Sequence, residues 1–466
     1  LHRVDRRQRQ MCIRDSCHKT HRDITMLTKH LMRYMTKAIS SDVLLNFKRS
    51  VAEAKRVVTN SEHTLEIFVS ITDPYSYLLL QVLPEIKERY SIQTRLFTVH
   101  DKQQGMFPDL EKWQSNSLLD CTRLAALYEL EFPPLATYRP KAEFELTPYW
   151  GAMLEAEHSD TAVEDMQKIF KRYWQDAPCS LVAKKQNENV SMPLTLFKTI
   201  ADNEAYLAEQ GHYLPGIIKY AGEWYWAIDR LDHLEKRLNK LLHVPSAKTI
   251  KYNRQTKSAF TSPLKLKAIA DPVILYFSAR SPYSYLGLEL AVKLCQQYAC
   301  ELVVKPVLPM MMRGMNVPQT KKMYIFHDTK REAKKQGIPY GFVADPLGKA
   351  VENCYSLFAM AKAQGKEVAY LLEFARAVNS QGILADNEKG MRIIAQRSGL
   401  EWEEAKKELS NQSWRKDVEA NMDELNALGL WGVPCFRYQD TVTWGQDRIW
   451  VIEQAIQANA SSKMRA

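Results

Sequence analysis

Hydrophobic and polar positions follow the same succession twice along this chain. Leu65-Glu66-Ile67-Phe68-Val69 and Val273 to Phe277 are short apolar runs of strand length. Each leads into a proline-initiated segment, Asp73-Pro74-Tyr75-Ser76-Tyr77-Leu78 and Ser281-Pro282-Tyr283-Ser284-Tyr285-Leu286, after which apolar residues recur at helical spacing. Proline fits the first position of a helix, where its missing N–H costs nothing, and Asp or Ser just before it is a good N-cap. Second strands are expected near Gln93 to Val99 and Glu301 to Val307, and helical patterns follow at Glu164 to Gln175 and Lys366 to Val378.

The repetition reaches the far end of each half. The stretch GHYLPGIIKYAGEWYWAIDRLDHLEKRL, from Gly211, parallels LWGVPCFRYQDTVTWGQDRIWVIEQAI, from Leu430. Each has a proline after an apolar residue, two short strands ending in aromatics, and an Asp-Arg pair that opens a helix. The two PYSYL segments stand 208 residues apart, a spacing that predicts two similar domains in tandem rather than a solenoid. The domains are expected at 61–243 and 271–460, joined by a linker over 244–270 that is rich in Pro, Ser and Lys and weak in periodicity. A basic amphipathic segment, 26–60, precedes them, with Val43, Phe47, Val51 and Val57-Val58 at helical spacing among lysines and arginines. It is expected to pack on its own domain, with a membrane surface as the competing reading. Residues 1–25 lack either periodicity, resemble translated adaptor sequence and are left out of the fold, with Met26 read as the start.

At 466 residues the chain is too long for one ordinary core, and no apolar run approaches the roughly 18 residues of a membrane span. The net charge of +10 belongs to the beginning of the chain: residues 1–60 hold 14 Lys+Arg against 5 Asp+Glu, while the other 406 hold 50 against 49. No aromatic-interleaved basic stripe follows, so neither a nucleic-acid partner nor stable membrane insertion is expected. The eight cysteines form no C-x-x-C pair and stand at no zinc spacing, which points to free thiols in a reducing compartment, the cytoplasm, and to no metal.

Candidate chemistry gathers at Ser281. As an N-cap it lies at the positive end of a helix dipole beside unpartnered N–H groups, a place that favours an anion, a thiolate included. The Ser-Pro-Tyr-Ser spacing resembles the C-P-x-C motif of thioredoxin-fold disulfide oxidoreductases with both cysteines replaced. Disulfide exchange is therefore lost at this motif, while activation of a thiol brought in by a ligand is not.

Four motifs in order carry a family likeness: SPYSYL at Ser281 to Leu286, KKMYIFHDTKREAKKQGIPYG from Lys321 to Gly341, GVP at Gly432 to Pro434, and WGQDR at Trp444 to Arg448. Through them residues 272–460 resemble the DsbA-like thioredoxin-fold family of 2-hydroxychromene-2-carboxylate isomerases and kappa-class glutathione transferases. Residues 64–242 resemble the same fold more loosely. The resemblance implies an α/β fold class with two tandem thioredoxin-like, DsbA-type domains, each with an inserted helical subdomain. It implies glutathione as cofactor, with Ser281 contacting the sulfur and Val433 and cis-Pro434 pairing with the cysteinyl backbone. Gln446 and Asp447 would hold the γ-glutamyl group, and Lys321, with Asn316 as the other candidate, would approach the glycyl carboxylate. The implied substrate is a small electrophilic, aromatic unsaturated carbonyl compound, and the outcome either isomerisation or conjugation. In the first half Asp73 replaces the serine and Ala227-Ile228 replace Gly445-Gln446, so thiolate activation is expected to be lost there while the fold is kept. A non-enzymatic binding or scaffold role stays open, as does packing of the repeats as an intramolecular pseudo-dimer. A thiol-disulfide oxidoreductase is disfavoured by the absent C-x-x-C.

Overall fold

A computed structural model describes residues 28–100, 106–134, 143–175, 194–242, 250–254 and 271–465. The leader 1–25, most of the linker, and Cys12, Cys17 and Cys179 lie outside the described residues. Two helices come first, α1 over 28–39 and α2 over Asp42–Val58. The first half then runs β1 (Thr64–Val69), α3 (Pro74–Tyr90), β2 (Gln93–Thr98), α4 (Leu110–Tyr128), α5 (Glu143–Ala156), α6 (Ala162–Gln175), α7 (Leu194–Glu209), β3 (Ile217–Tyr220), β4 (Glu223–Trp226) and α8 (Leu231–Leu241). The second half runs β5 (Val273–Phe277), α9 (Pro282–Tyr298), β6 (Leu302–Pro306), α10 (Gln319–Gln336), α11 (Lys349–Ala363), α12 (Glu367–Ser380), α13 (Glu388–Arg397), α14 (Trp402–Glu408), α15 (Trp414–Ala427), β7 (Cys435–Tyr438), β8 (Thr441–Trp444) and α16 (Ile449–Arg465).

Each half holds a four-stranded sheet, of order β2-β1-β3-β4 and β6-β5-β7-β8. In both, the first pair is parallel and the others are antiparallel. The apolar runs form the inner strands β1 and β5, which are mostly buried, with Glu66 of β1 paired to Lys219. The register fixes which residues correspond. Phe68 pairs with Ile217, and Tyr276 with Cys435, so Ile217 and Cys435 stand at equivalent places. Gly216, and not Pro215, therefore occupies the position of Pro434. The sequence pairing of the two prolines is off by one residue, because a shared Pro is a weaker guide than a shared strand register.

The halves are packed against each other. Trp450 and Val451, at the start of α16, belong to the buried core of the first half, and Tyr324 of α10 packs on the cluster around Phe68 and Phe97. Between them runs a reciprocal set of ion pairs. Arg448 donates to Asp120 (2.6 and 2.8 Å) and to Asp229 (2.9 and 2.6 Å). Arg230 donates to Asp328 (2.8 and 2.7 Å) and to Asp447 (2.9 Å). Both arginines are buried, 2% and 3% exposed. The same partners recur inside each half, since Tyr75 donates to Asp120 at 2.8 Å and Tyr283 to Asp328 at 2.6 Å, both pairs spanning 45 residues. Of the expected linker, Tyr252 is buried in the first core and Arg254 pairs with Asp229 and Glu332 across the junction.

Helix α1 departs from the expectation that the N-terminal segment packs on its own domain. From α1 and the turn that follows, Arg33, Thr36 and Ser40 bond the backbone of Gly382, Val343 and Gly341 in the second half. Helix α2 is tied to the first half by Arg49 on Glu223. Its apolar stripe, Val43, Phe47, Val51 and Val58, is exposed rather than packed.

Removing Arg448 takes the guanidinium away from buried Asp120 and leaves Asp229 to Arg254, and removing Arg230 leaves Asp328 to Arg331; breaking a buried ion pair costs about 3–5 kcal/mol. Arg448→Met and Arg230→Met should each lower stability by that amount in denaturant unfolding. A loss under 1 kcal/mol for both would show that the junction does not depend on them.

Candidate functional site

Ser281 caps α9 as the sequence predicts. Its Oγ accepts from the N–H of Ser284 at 3.1 Å and donates to the carbonyl of Val433 at 3.4 Å. The Val433–Pro434 bond is cis, and it is the one cis peptide among the described residues. Pro434 is brought to the helix by a glycine. A Cβ on Gly287 would lie 3.1 Å from two ring carbons of Pro434 and 3.2 Å from Phe436, contacts tighter than a well-packed core tolerates without movement. Gly432 gives similar access to Trp444, whose ring would meet a Cβ at 2.7 Å. The backbone closes behind the proline through the Gly445 N–H, which donates to the Pro434 carbonyl at 2.9 Å.

A cavity of about 850 Å³ opens beside this segment, lined from both halves. Ser281, Val433, Pro434, Gln446, Asp447 and Lys321 all line it. The structure thus brings together six of the seven predicted residues. Asn316 is exposed in the loop before α10 and is not part of the lining. Asp447 is reached on one side by Arg230 at 2.9 Å and on the other by Arg448 at 3.4 Å. Burial raises its pKa, but Arg448, Arg230 and Arg254 outweigh that and hold it below the usual carboxylate value. It is therefore an ionised member of the junction as well as a wall of the cavity.

Two predicted residues carry unused capacity. The side-chain nitrogen of Gln446 is buried without a hydrogen-bond partner, which is costly unless a ligand accepts from it. Lys321 donates to the carbonyl of Met106 at 2.6 Å, pairs with no carboxylate among the described residues, and is pushed down to about 8 by burial. Both suit an anionic or carbonyl-rich ligand. Cys435, next to the proline, is fully buried, donates to the Gly432 carbonyl at 2.9 Å and has its pKa raised by burial, so it is an inert packing residue.

Sequence reasoning missed the contribution of the first half. Trp113 of α4 meets Trp444 edge to face at 5.6 Å, Trp431 lies 4.7 Å from Trp444, and Phe107 lies 5.1 Å from Trp113. These rings form an apolar wall drawn from both halves. No spacing signal could reveal the contribution of Trp113, which stands more than 300 residues before Trp431 and Trp444. Arg313, also in the lining, was missed as well. A separate group, Asp232, His233 and Glu332, has ligand atoms within 4.8 Å of one another. Lys335 on Asp232 at 2.9 Å and Arg254 on Glu332 at 3.1 Å already meet its charge.

The equivalent place in the first half is closed. Asp73 caps α3, with its carboxylate accepting from the N–H and the hydroxyl of Ser76 at 2.8 and 2.6 Å. The same oxygen would lie 2.7 Å from a Cβ on Gly216. Leu79 stands where the second half has Gly287.

Residues 272–457 match the family model of the DSBA-like thioredoxin domain. This part of the chain is a DsbA-like thioredoxin domain. Over 192 residues the chain is 27% identical to 2-hydroxychromene-2-carboxylate isomerase from Pseudomonas putida, covering 40% of this chain and 93% of that protein. Among solved structures it is similar to a 2-hydroxychromene-2-carboxylate isomerase, at 24% identity over 42% of this chain and 98% of the other, with a TM-score of 0.36. It is also similar to the cytosolic disulfide reductase DsbM from Pseudomonas aeruginosa, at 17% identity over 41% and 99%, with a TM-score of 0.33.

Gly287 lies against Pro434, whereas the equivalent positions of the first half hold Leu79 and Gly216. Gly287→Leu should cost about 1–3 kcal/mol by overpacking. Gly287→Leu combined with Pro434→Gly should recover a large part of that loss in a double-mutant cycle. Additive losses would show that the two sites are not coupled.

Proposed function

We propose that the cavity binds glutathione against the second half, and that the chain is a glutathione-dependent enzyme acting on an electrophilic, aromatic unsaturated carbonyl compound. One observation carries this reading: Ser281, capping α9, faces the cis Val433–Pro434 segment in a cavity that also holds Lys321, bonded to the Met106 carbonyl, and the unsatisfied amide of Gln446. The homology to 2-hydroxychromene-2-carboxylate isomerase supports it.

The residues present fit the tripeptide. Val433 offers backbone groups for extended pairing beside the cis-proline, Lys321 a cation for the glycyl carboxylate, and Gln446 a buried donor for the γ-glutamyl end. Asp447 can accept from the α-ammonium with the oxygen that Arg230 does not take. Ser281 and the N-terminus of α9 would stabilise a negative sulfur. Lowering a thiol pKa by ~2 units takes ~2.7 kcal/mol, within reach of one hydroxyl hydrogen bond plus a helix end. When bound, glutathione would supply a thiolate nucleophile for the electrophilic carbon. The wall of Trp113, Trp431 and Trp444 would hold the aromatic part of the substrate and keep water away. Isomerisation would return the thiol unchanged and conjugation of the kappa-class kind would leave it bonded to the product, and product analysis separates them.

We further propose that the halves arose by tandem duplication, with domains at 61–243 and 271–460 packed as an intramolecular pseudo-dimer in which the first has lost its thiol site. The common strand order and the reciprocal arginines support this reading.

Calorimetric titration with glutathione, with thiolate absorbance followed against pH, tests the proposal. Wild type should bind with a lowered thiol pKa, and Ser281→Ala should raise that pKa by roughly 1 unit, the worth of one hydrogen bond to a charged group. No binding at millimolar glutathione would leave the fold as a scaffold or a binder of something else.

The Lys321 value sets a second expectation. A carboxylate is held by the ammonium, so the Lys321 contribution to affinity should be level below about pH 8 and fall above it until the ligand-bound pKa is passed. Titrations with S-methylglutathione, compared with Lys321→Gln, should show that difference shrinking as pH rises. A difference that does not change with pH would remove Lys321 from the site.

A further inference from the structure

Nine of the eleven large hydrophobic side chains that stand exposed among the described residues fall within residues 31–58, in α1 and α2. The same segment holds the excess of positive charge: residues 28–60 carry seven Lys+Arg against two Asp+Glu, whereas the 406 residues after them are balanced, 50 against 49. In α2 the two features are ordered. Val43, Phe47, Val51 and Val58 follow one another at steps of 4, 4 and 7, which sets them on one line along a helix. They are 81%, 64%, 51% and 85% exposed. The far side of the helix is the one tied down, by Arg49 on Glu223 of the first half at 2.7 and 2.8 Å and by Asp42 on Lys334 of the second half at 2.9 Å. Not one residue of this 17-residue helix is buried. Lys48 and Lys55, seven apart, run beside the apolar line, exposed and in no ion pair among the described residues.

We propose that α2 docks on an anionic lipid surface, with its apolar line at the boundary between headgroups and acyl chains and Lys48 and Lys55 on the phosphates. Among the described residues no helix is long and apolar enough to cross a membrane, so the docking is peripheral. An apolar line beside free cations suits such a surface, because the valines and the phenylalanine leave water while the lysines stay among the charged headgroups. A protein partner fits less well. A helix of 17 residues is about 25 Å long, and a strip roughly 10 Å wide along it covers about 250 Å², against roughly 800 Å² per partner in a stable protein interface. An isologous contact with a second copy would also bring this basic segment against itself. A lipid surface needs no matching shape and supplies the negative charge. The inference is independent of the glutathione reading, since none of these α2 residues lines the cavity.

The test is flotation of the full chain with vesicles of phosphatidylcholine alone and of phosphatidylcholine with about 30 mol% phosphatidylglycerol. Wild type should bind the anionic vesicles about tenfold more tightly or better, and high salt should remove that margin. Phe47→Glu combined with Val51→Glu should weaken binding about tenfold, and Lys48→Glu with Lys55→Glu should abolish the preference for anionic vesicles. Phe197→Glu, which removes an exposed ring from α7, should stay within about twofold of wild type. Should the Phe47 and Val51 variant fail to fold by circular dichroism, Val58→Glu, at the exposed end of α2, serves in its place. Equal binding of wild type to both kinds of vesicle, no binding to either, or an equal loss in the Phe197 control overturns the inference. So does a dimer in sedimentation velocity that the Phe47 and Val51 changes dissociate while vesicle binding stays the same, because the apolar line then belongs to a second copy.

Discussion

The junction between the halves depends on one exchange of charge. At the start of its last helix each half presents an Asp-Arg pair, and each arginine is carried across to the aspartates of the other half. A buried arginine or aspartate is tolerable only when paired and hydrogen-bonded. Here the closest partners of Arg448, Asp120 and Asp229, are both in the first half, and those of Arg230, Asp328 and Asp447, are both in the second. Arg331 and Arg448 add partners from within the second half to Asp328 and Asp447. The cavity sits over this junction and takes Arg230, Arg448, Asp120, Asp328 and Asp447 into its lining. Asp447 shows the link directly, because the carboxylate that lines the cavity is the one that holds Arg230.

The Ser281 site is set by a local constraint of a different kind. A helix that begins with Pro282 must be capped from outside, and Ser281 does so while reaching back to the Val433 carbonyl. That reach needs the proline segment close to the helix, which Gly287 permits. In the first half the same helix is capped by Asp73, whose carboxylate would lie 2.7 Å from a Cβ on Gly216, and Leu79 stands at the helix position of Gly287. A carboxylate that satisfies Ser76 twice has no reason to receive a thiolate.

Local signals in the sequence were read well because local physics produces them. Strands β1, β2, β5 and β6 fall where apolar runs predict, and the N-caps at Asp73 and Ser281 follow from Pro at the next position. The helix expected at Glu164 to Gln175 lies within Ala162–Gln175, and the one expected at Lys366 to Val378 is Glu367–Ser380, with Lys366 as its N-cap. What failed was anything decided by distant packing. The Pro215 alignment was settled by strand register, the apolar stripe of α2 was expected inside and lies outside, and the tryptophan wall joins residues whose separation in sequence hides them. Asn316 has the right chemistry, but its loop turns it away from the cavity.

The two halves also differ where they face the same cavity, and a single chain is what allows this. Trp113 stands 208 residues before Lys321, the spacing that separates Tyr75 from Tyr283. In a dimer of identical subunits these equivalent positions would carry one residue type on both sides. The choice would then be two lysines, repelling each other across a half-buried space, or two tryptophans with no cation for an anionic ligand. With both halves in one chain, position 321 keeps a cation held by Met106 while position 113 supplies a ring against Trp444. On the proposed reading, the loss of the first thiol site follows from this specialisation. Once the first half serves as the wall of the second, selection for Asp73 as a firm cap is no longer opposed by selection for a hydroxyl that must leave room for sulfur.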